Sequence, residues 1–120
     1  SPDQEKLQAE VTEILETECA AAKAADVQTW NRYSDEFHLV FYRYCNNSRL
    51  AESAERLRSG ISIFSNQYCR ETVIQTRIDE EHLAIFQAYK DGDIEKAVQM
   101  MKTHLNDSLN YALRFLPKTF

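Results

Sequence analysis

Glycine and proline are scarce in this chain, two of each in 120 residues. A many-stranded sandwich or barrel needs a turn signal every few residues, so that class is excluded. An excess of positive charge is missing as well. Fourteen Lys and Arg stand against nineteen Asp and Glu, for a net charge of −5. A polyanion is held mainly through its phosphates, and no Lys/Arg cluster here could do that, so the chain by itself is not a nucleic-acid binder. No run of 18 apolar residues occurs, which excludes a membrane-spanning helix. The polar, acidic opening SPDQEKLQAE is not a secretory leader, and a cytoplasmic protein with no membrane partner is expected. The three cysteines, Cys19, Cys45 and Cys69, lie far apart with no CxxC pair. Neither a zinc knuckle nor a disulfide framework is indicated, and small buried thiols are expected.

What is abundant is Ala, Glu, Leu, Lys, Gln and Arg, all good helix formers. The expected fold is all-α: one domain over residues 1–120, an antiparallel bundle of about five to six helices. Ser1, Pro2 and Gln4 form a helix-start signal for a first helix over about 2–24, with Leu7, Val11, Ile14 and Ala22 inward. The acidic run Glu10, Glu13, Glu16 and Glu18 reads as that helix's solvated face. Asp26 caps a second helix, whose buried stripe is Val27, Trp30, Phe37, Phe41 and Tyr44, and Asn46, Asn47 and Ser48 break it. A third helix is expected over 49–68 and a fourth over 75–90, with Ile78, Ile85 and Tyr89 inward. Asp91-Gly92-Asp93 is a tight turn in which Gly92 takes positive φ and Asp93 caps the last helix. That helix should point Ile94, Ala97, Met101, Leu105, Ser108 and Ala112 inward and end before Pro117. Short connections make sequential helices antiparallel.

The chain has three histidines, and each falls on or beside an apolar stripe. His38 flanks Phe37 and Phe41, His82 lies between Ile78 and Ile85, and His104 follows Met101 by three. A core-facing stripe covers about a third of a helix, so three histidines on three helices would all land there by chance roughly one time in thirty. Each alone reads as a buried histidine with one good hydrogen bond. Together they suggest convergence, because buried imidazoles need partners and three of them most simply share a metal or an anion. Three imidazoles suit Zn²⁺, Ni²⁺ or Fe²⁺, usually with a carboxylate as a further ligand. Asp35 precedes His38 by three and Asp79 precedes His82 by three, the spacing that shares a helix face. Glu81, next to His82, points elsewhere.

The stretch SDEFHLVFYRYCNNSRL resembles the FH…N..L signature of the FadR C-terminal domain, the effector-binding half of one GntR subfamily of bacterial transcription regulators. A second block, EEHLAIFQAYKDGDIEKAVQMMKTHL, is similar to the family's EH..I..A…GD...A...M..HL pattern, in the right order. The resemblance covers nearly the whole chain. It implies a helical bundle with a divalent metal in its interior, most simply Zn²⁺ with Ni²⁺ or Fe²⁺ as alternatives, and a small organic acid bound on that metal. It implies His38, His82 and His104 as ligands, with Asn47 as the turn residue after the FH helix. The family's first ligand is usually Asp four residues before the FH histidine. Here that position is Ser34, and the carboxylate is one place later, at Asp35. Either Asp35 ligates the metal from the edge of the face or Ser34 contributes in its place. Ser34, Tyr42, Arg58 and Glu81 are the polar side chains expected around the acid. The resemblance also implies homodimerisation, and it implies that residues 1–120 lack two parts of the family pattern: the preceding winged-helix domain, through which alone DNA would be contacted, and the first effector-domain helix with its R..LE motif.

The expected function is ligand sensing without catalysis in a GntR-type regulator. Two other readings compete. Asp35-x-x-His38 and Asp79-x-x-His82 imitate the carboxylate–histidine pairs of di-iron oxidoreductases, which would then require Glu10, Glu13 or Asp107 as inward carboxylates. Alternatively the chain is a helical interaction module with three unrelated core histidines and no metal.

Overall fold

The computed structural model describes residues 2–44, 52 and 70–114. Four helices are described: α1 (Pro2–Lys23), α2 (Val27–Arg43), α3 (Thr72–Lys90) and α4 (Ile94–Leu113). Of the helix expected over 49–68 only Glu52, which is helical and exposed, is among the described residues; Asn47, Arg58, Cys45 and Cys69 lie outside them. Among the described residues there is no strand, and no helix is long and apolar enough to cross a membrane.

The two short turns are built alike. After α1, the Ala25 N–H donates to the Ala22 carbonyl (3.2 Å) and the Asp26 N–H to Ala21 (2.9 Å), with Ala25 at φ +56°. After α3, the Gly92 N–H donates to Tyr89 (3.1 Å) and the Asp93 N–H to Ala88 (3.0 Å), with Gly92 at φ +79°. Both are Schellman closures, in which one left-handed residue lets two N–H groups satisfy the helix's last free carbonyls. In each case the next residue is an aspartate that starts the following helix. The Asp26 carboxylate accepts from the Thr29 N–H at 3.2 Å, and the Asp93 carboxylate from the Lys96 N–H at 3.2 Å. Both caps and the Gly92 turn match the sequence expectation; the left-handed Ala25 does not follow from any local signal.

Three contacts fix the relation of α2 to α3. Trp30 meets Asp79, Phe37 stacks on His82, and Phe41 meets Tyr89 edge to face. The numbers rise together, so α2 and α3 run parallel, and α1 runs antiparallel to both. Along these three helices the core divides in two. Leu7, Val11, Ile14, Leu15, Phe37, Val40, Ile85 and Phe86 form the larger apolar block, and Ala21, Ala22, Trp30 and Ile78 the smaller. Between the blocks lies a buried polar seam of Glu18, Ser34, Asp79 and His82.

Two expectations about faces are corrected here. Glu18 is not on a solvated face: it has 0% exposure, while Glu10, Glu13 and Glu16 are exposed. Its place, four after Ile14 and four before Ala22, is on the buried stripe. On α4, Ile94 and Leu105 are exposed rather than inward, whereas Ala97 and His104 are buried. Among the described residues the backbone of α4 runs beside α3 alone, and Met100, Met101 and His104 reach from it to the core.

Candidate metal centre

The polar seam ends in three imidazoles. His38 comes from α2, His82 from α3 and His104 from α4. Their Nε2 atoms form a triangle with edges of 3.2 Å (38–82), 3.1 Å (38–104) and 2.9 Å (82–104). The histidines that the sequence places on separate apolar stripes therefore meet at one point.

Partners on the far side of two rings decide what the near side can do. His82 Nδ1 lies 2.8 Å from one Glu18 carboxylate oxygen and 3.1 Å from the other. His104 Nδ1 lies 2.7 Å from Glu81 Oε1. A carboxylate only accepts, so each of these Nδ1 atoms carries the proton and donates it. In the neutral ring Nε2 is then a bare lone pair. Burial, reinforced by the neighbouring imidazoles, pushes His38 and His82 well below the ordinary histidine value, so both rings are neutral near pH 7. Where two such lone pairs face each other, as across the 2.9 Å His82–His104 edge, they repel unless a proton or a metal cation stands between them.

The donor set fits a divalent metal. Nitrogen ligands at about 2.1 Å from an ion lie roughly 3.0 Å apart at right angles and about 3.4 Å apart at the tetrahedral angle. The observed edges of 2.9–3.2 Å are close to these spacings. Glu18 and Glu81 stand where outer carboxylates orient metal-bound histidines, and Phe37 packs flat on His82 with centroids 4.1 Å apart and planes 18° apart.

Glu18 itself is held from several sides. Besides His82 it is hydrogen-bonded to Ser34 and to Asp79. Asp79 in turn accepts from Trp30 Nε1 at 2.9 Å. Burial is the main reason this pair holds a proton unusually well, with Glu18 pushed up to about 8 and Asp79 to about 7, and the bond between them leaves that proton on Asp79.

The other expected site residues are distributed as follows. Among the described residues, the metal-capable cluster consists of the three histidines, whose donor atoms lie within 4.8 Å of one another. Asp35 is partly buried and contributes its charge to the surroundings of Glu18. Ser34 is buried and bonds Glu18. Tyr42 is partly buried one turn beyond His38. Glu81 is drawn to His104 rather than pointing away from the site. The carboxylates that a di-iron site would need, Glu10, Glu13 and Asp107, are exposed. Cys19 is partly buried and its thiol is pushed up to about 11, mainly by burial, which makes it unreactive.

Glu18, Asp79 as its partner, and Trp30 are the residues that the sequence reading of the site missed. The spacing of Glu18 on the α1 stripe was a usable signal. The link from Asp79 to Trp30, 49 positions apart, had none.

The chain was also compared with known proteins. A family model described as the FCD domain matches residues 3–107. No curated protein and no solved structure gives a significant match.

Proposed function

The chain belongs to the FCD domain family, the effector-binding domain of GntR-type transcription regulators, and from that premise we propose that it senses a small organic acid at a divalent metal held by His38, His82 and His104. The observation that carries this reading is the triangle of Nε2 atoms, with a carboxylate behind two of the three rings.

The metal supplies a Lewis-acidic centre with positions left for oxygen ligands. His38, His82 and His104 would hold it from one side. Three imidazoles would suit Zn²⁺, Ni²⁺ or Fe²⁺. Asp35, one turn before His38, is the carboxylate that could complete the set, and the remaining positions fall to water and to the effector's carboxylate. Ser34 and Glu81 are engaged by Glu18 and His104, so they act by orienting the ligands. Tyr42 and Arg58 are left as polar contacts for the acid. In the regulator, a homodimer would contact DNA through a winged-helix domain. The acid carries a signal only through a difference in affinity between two conformations of the dimer.

Two measurements test this. Protein purified without a nickel column should contain one divalent ion per chain, and His82→Ala and His104→Ala should each abolish that content. Organic acids screened on the loaded protein should raise the melting temperature, by on the order of 10 °C at a hundred times Kd. Unchanged metal content in both alanine variants would show that the histidines do not share a metal.

A further inference from the structure

Behind His82 the polar seam continues away from the histidines as a chain of hydrogen bonds crossing three helices. His82 Nδ1 donates to Glu18 of α1, Glu18 is bonded to Asp79 of α3, and Asp79 Oδ1 accepts from the indole N–H of Trp30 on α2. Every member is buried, with Trp30 at 1% exposure and Glu18 and His82 at 0%. Two carboxyl groups can bond each other only with a proton between them, so the chain is directional: indole to Asp79, Asp79 to Glu18, and His82 to Glu18 from the other side.

A glutamate side chain has three rotatable bonds, and a carboxylate with one partner can swing off it. Ser34 and Asp79 remove that freedom by binding Glu18 as well as His82 does. Asp79 is aimed in turn by the indole, which is rigid and packed among Ala21, Ala22 and Ile78. Trp30 is thus linked to the His82 ring through Asp79 and Glu18.

We propose that Asp79 and Trp30 are positioning residues for the histidine site: they hold Glu18 against His82 Nδ1, and loading of the site is felt at the Trp30 indole. This rests on the metal-binding reading above.

The experiment uses the full chain stripped of metal and titrated with Zn²⁺, an ion with no intrinsic quenching of indole. Calorimetry gives the affinity, and intrinsic fluorescence reports on Trp30, the single tryptophan of the sequence. Asp79→Leu fills the same space without hydrogen bonds and should weaken Zn²⁺ binding about 10- to 100-fold, the usual effect of losing an outer partner. Asp79→Asn can still accept from the indole and donate to Glu18, and should restore affinity to within about threefold. Trp30→Phe keeps an aromatic ring and removes only the donor, and should weaken binding about three- to tenfold. In the wild type, emission should change with the same midpoint as the calorimetric titration. A purely structural role would lower melting temperatures and leave the affinity of the folded protein untouched. Wild-type affinity in Trp30→Phe and in every Asp79 variant that folds overturns the proposal while leaving the metal site standing. Failure of the wild type to bind Zn²⁺ removes the site itself, and this proposal with it.

Discussion

A carboxylate with no solvent exposure, Glu18, is shared by an imidazole, a hydroxyl and a second carboxyl, and its protonation has a measurable consequence. Its folded-state value, about 8, and that of Asp79, about 7, both lie above the ordinary 4.5 and 3.8. The folded pair thus keeps a proton, held between Asp79 and Glu18, that the unfolded chain has released. Stability from this source is complete below the ordinary values and is lost as pH rises through 7 and 8. His38 and His82 are shifted downward, so their contribution is lost in the opposite direction, as pH falls below 6.5. The two trends oppose each other between about 4.5 and 6.5, and only the carboxyl trend survives above. In metal-stripped protein, denaturant titrations should show stability falling by about 2 kcal/mol from pH 6.5 to 8.5, and Glu18→Gln should flatten most of that slope. At this scale the three histidines were legible because each kept to an apolar stripe. Glu18 kept to one too, but a glutamate among glutamates reads as surface until something buried is known to need its charge.

At the scale of elements, the turn after α1 pays for its Schellman closure with an alanine at φ +56°, where the equivalent turn after α3 uses glycine. A side chain in the left-handed region clashes with its own backbone, and glycine does not. Ala25→Gly should therefore raise stability by about 0.5–1 kcal/mol, read as a rise of a few degrees in melting temperature. Gly92→Ala should cost a similar amount through backbone strain alone, since a Cβ there would meet nothing within 4 Å. Helix bounds and the aspartate caps were legible, because cap chemistry is local. The inward face of α4 was only partly so. That helix has apolar residues on more than one side: Ala97, Met100 and Met101 turn toward its neighbours, and Ile94, Val98, Leu105, Leu109 and Leu113 are exposed. Periodicity reveals that a stripe exists, and the packing partner decides which stripe is covered.

Over the whole molecule, two corners of the histidine triangle belong to helices packed on several sides, and the third belongs to α4. Among the described residues, α4 runs beside α3 alone. Ligation through His104 should therefore protect α4 more than the rest. Hydrogen exchange followed with and without Zn²⁺ should slow the amides of 94–113 by a larger factor than those of α1, and His104→Ala should erase the difference. The parallel course of α2 and α3 agrees with the antiparallel order expected of sequential helices with one helix between them, whereas the polar seam between two apolar blocks could not be read in advance, since it depends on contacts between residues dozens of positions apart. An anchored frame thus offers two fixed jaws, and the last jaw sits on a strut with a single brace. Occupancy at the meeting point becomes a question of how firmly that strut is clamped, which turns a chemical event into a mechanical one.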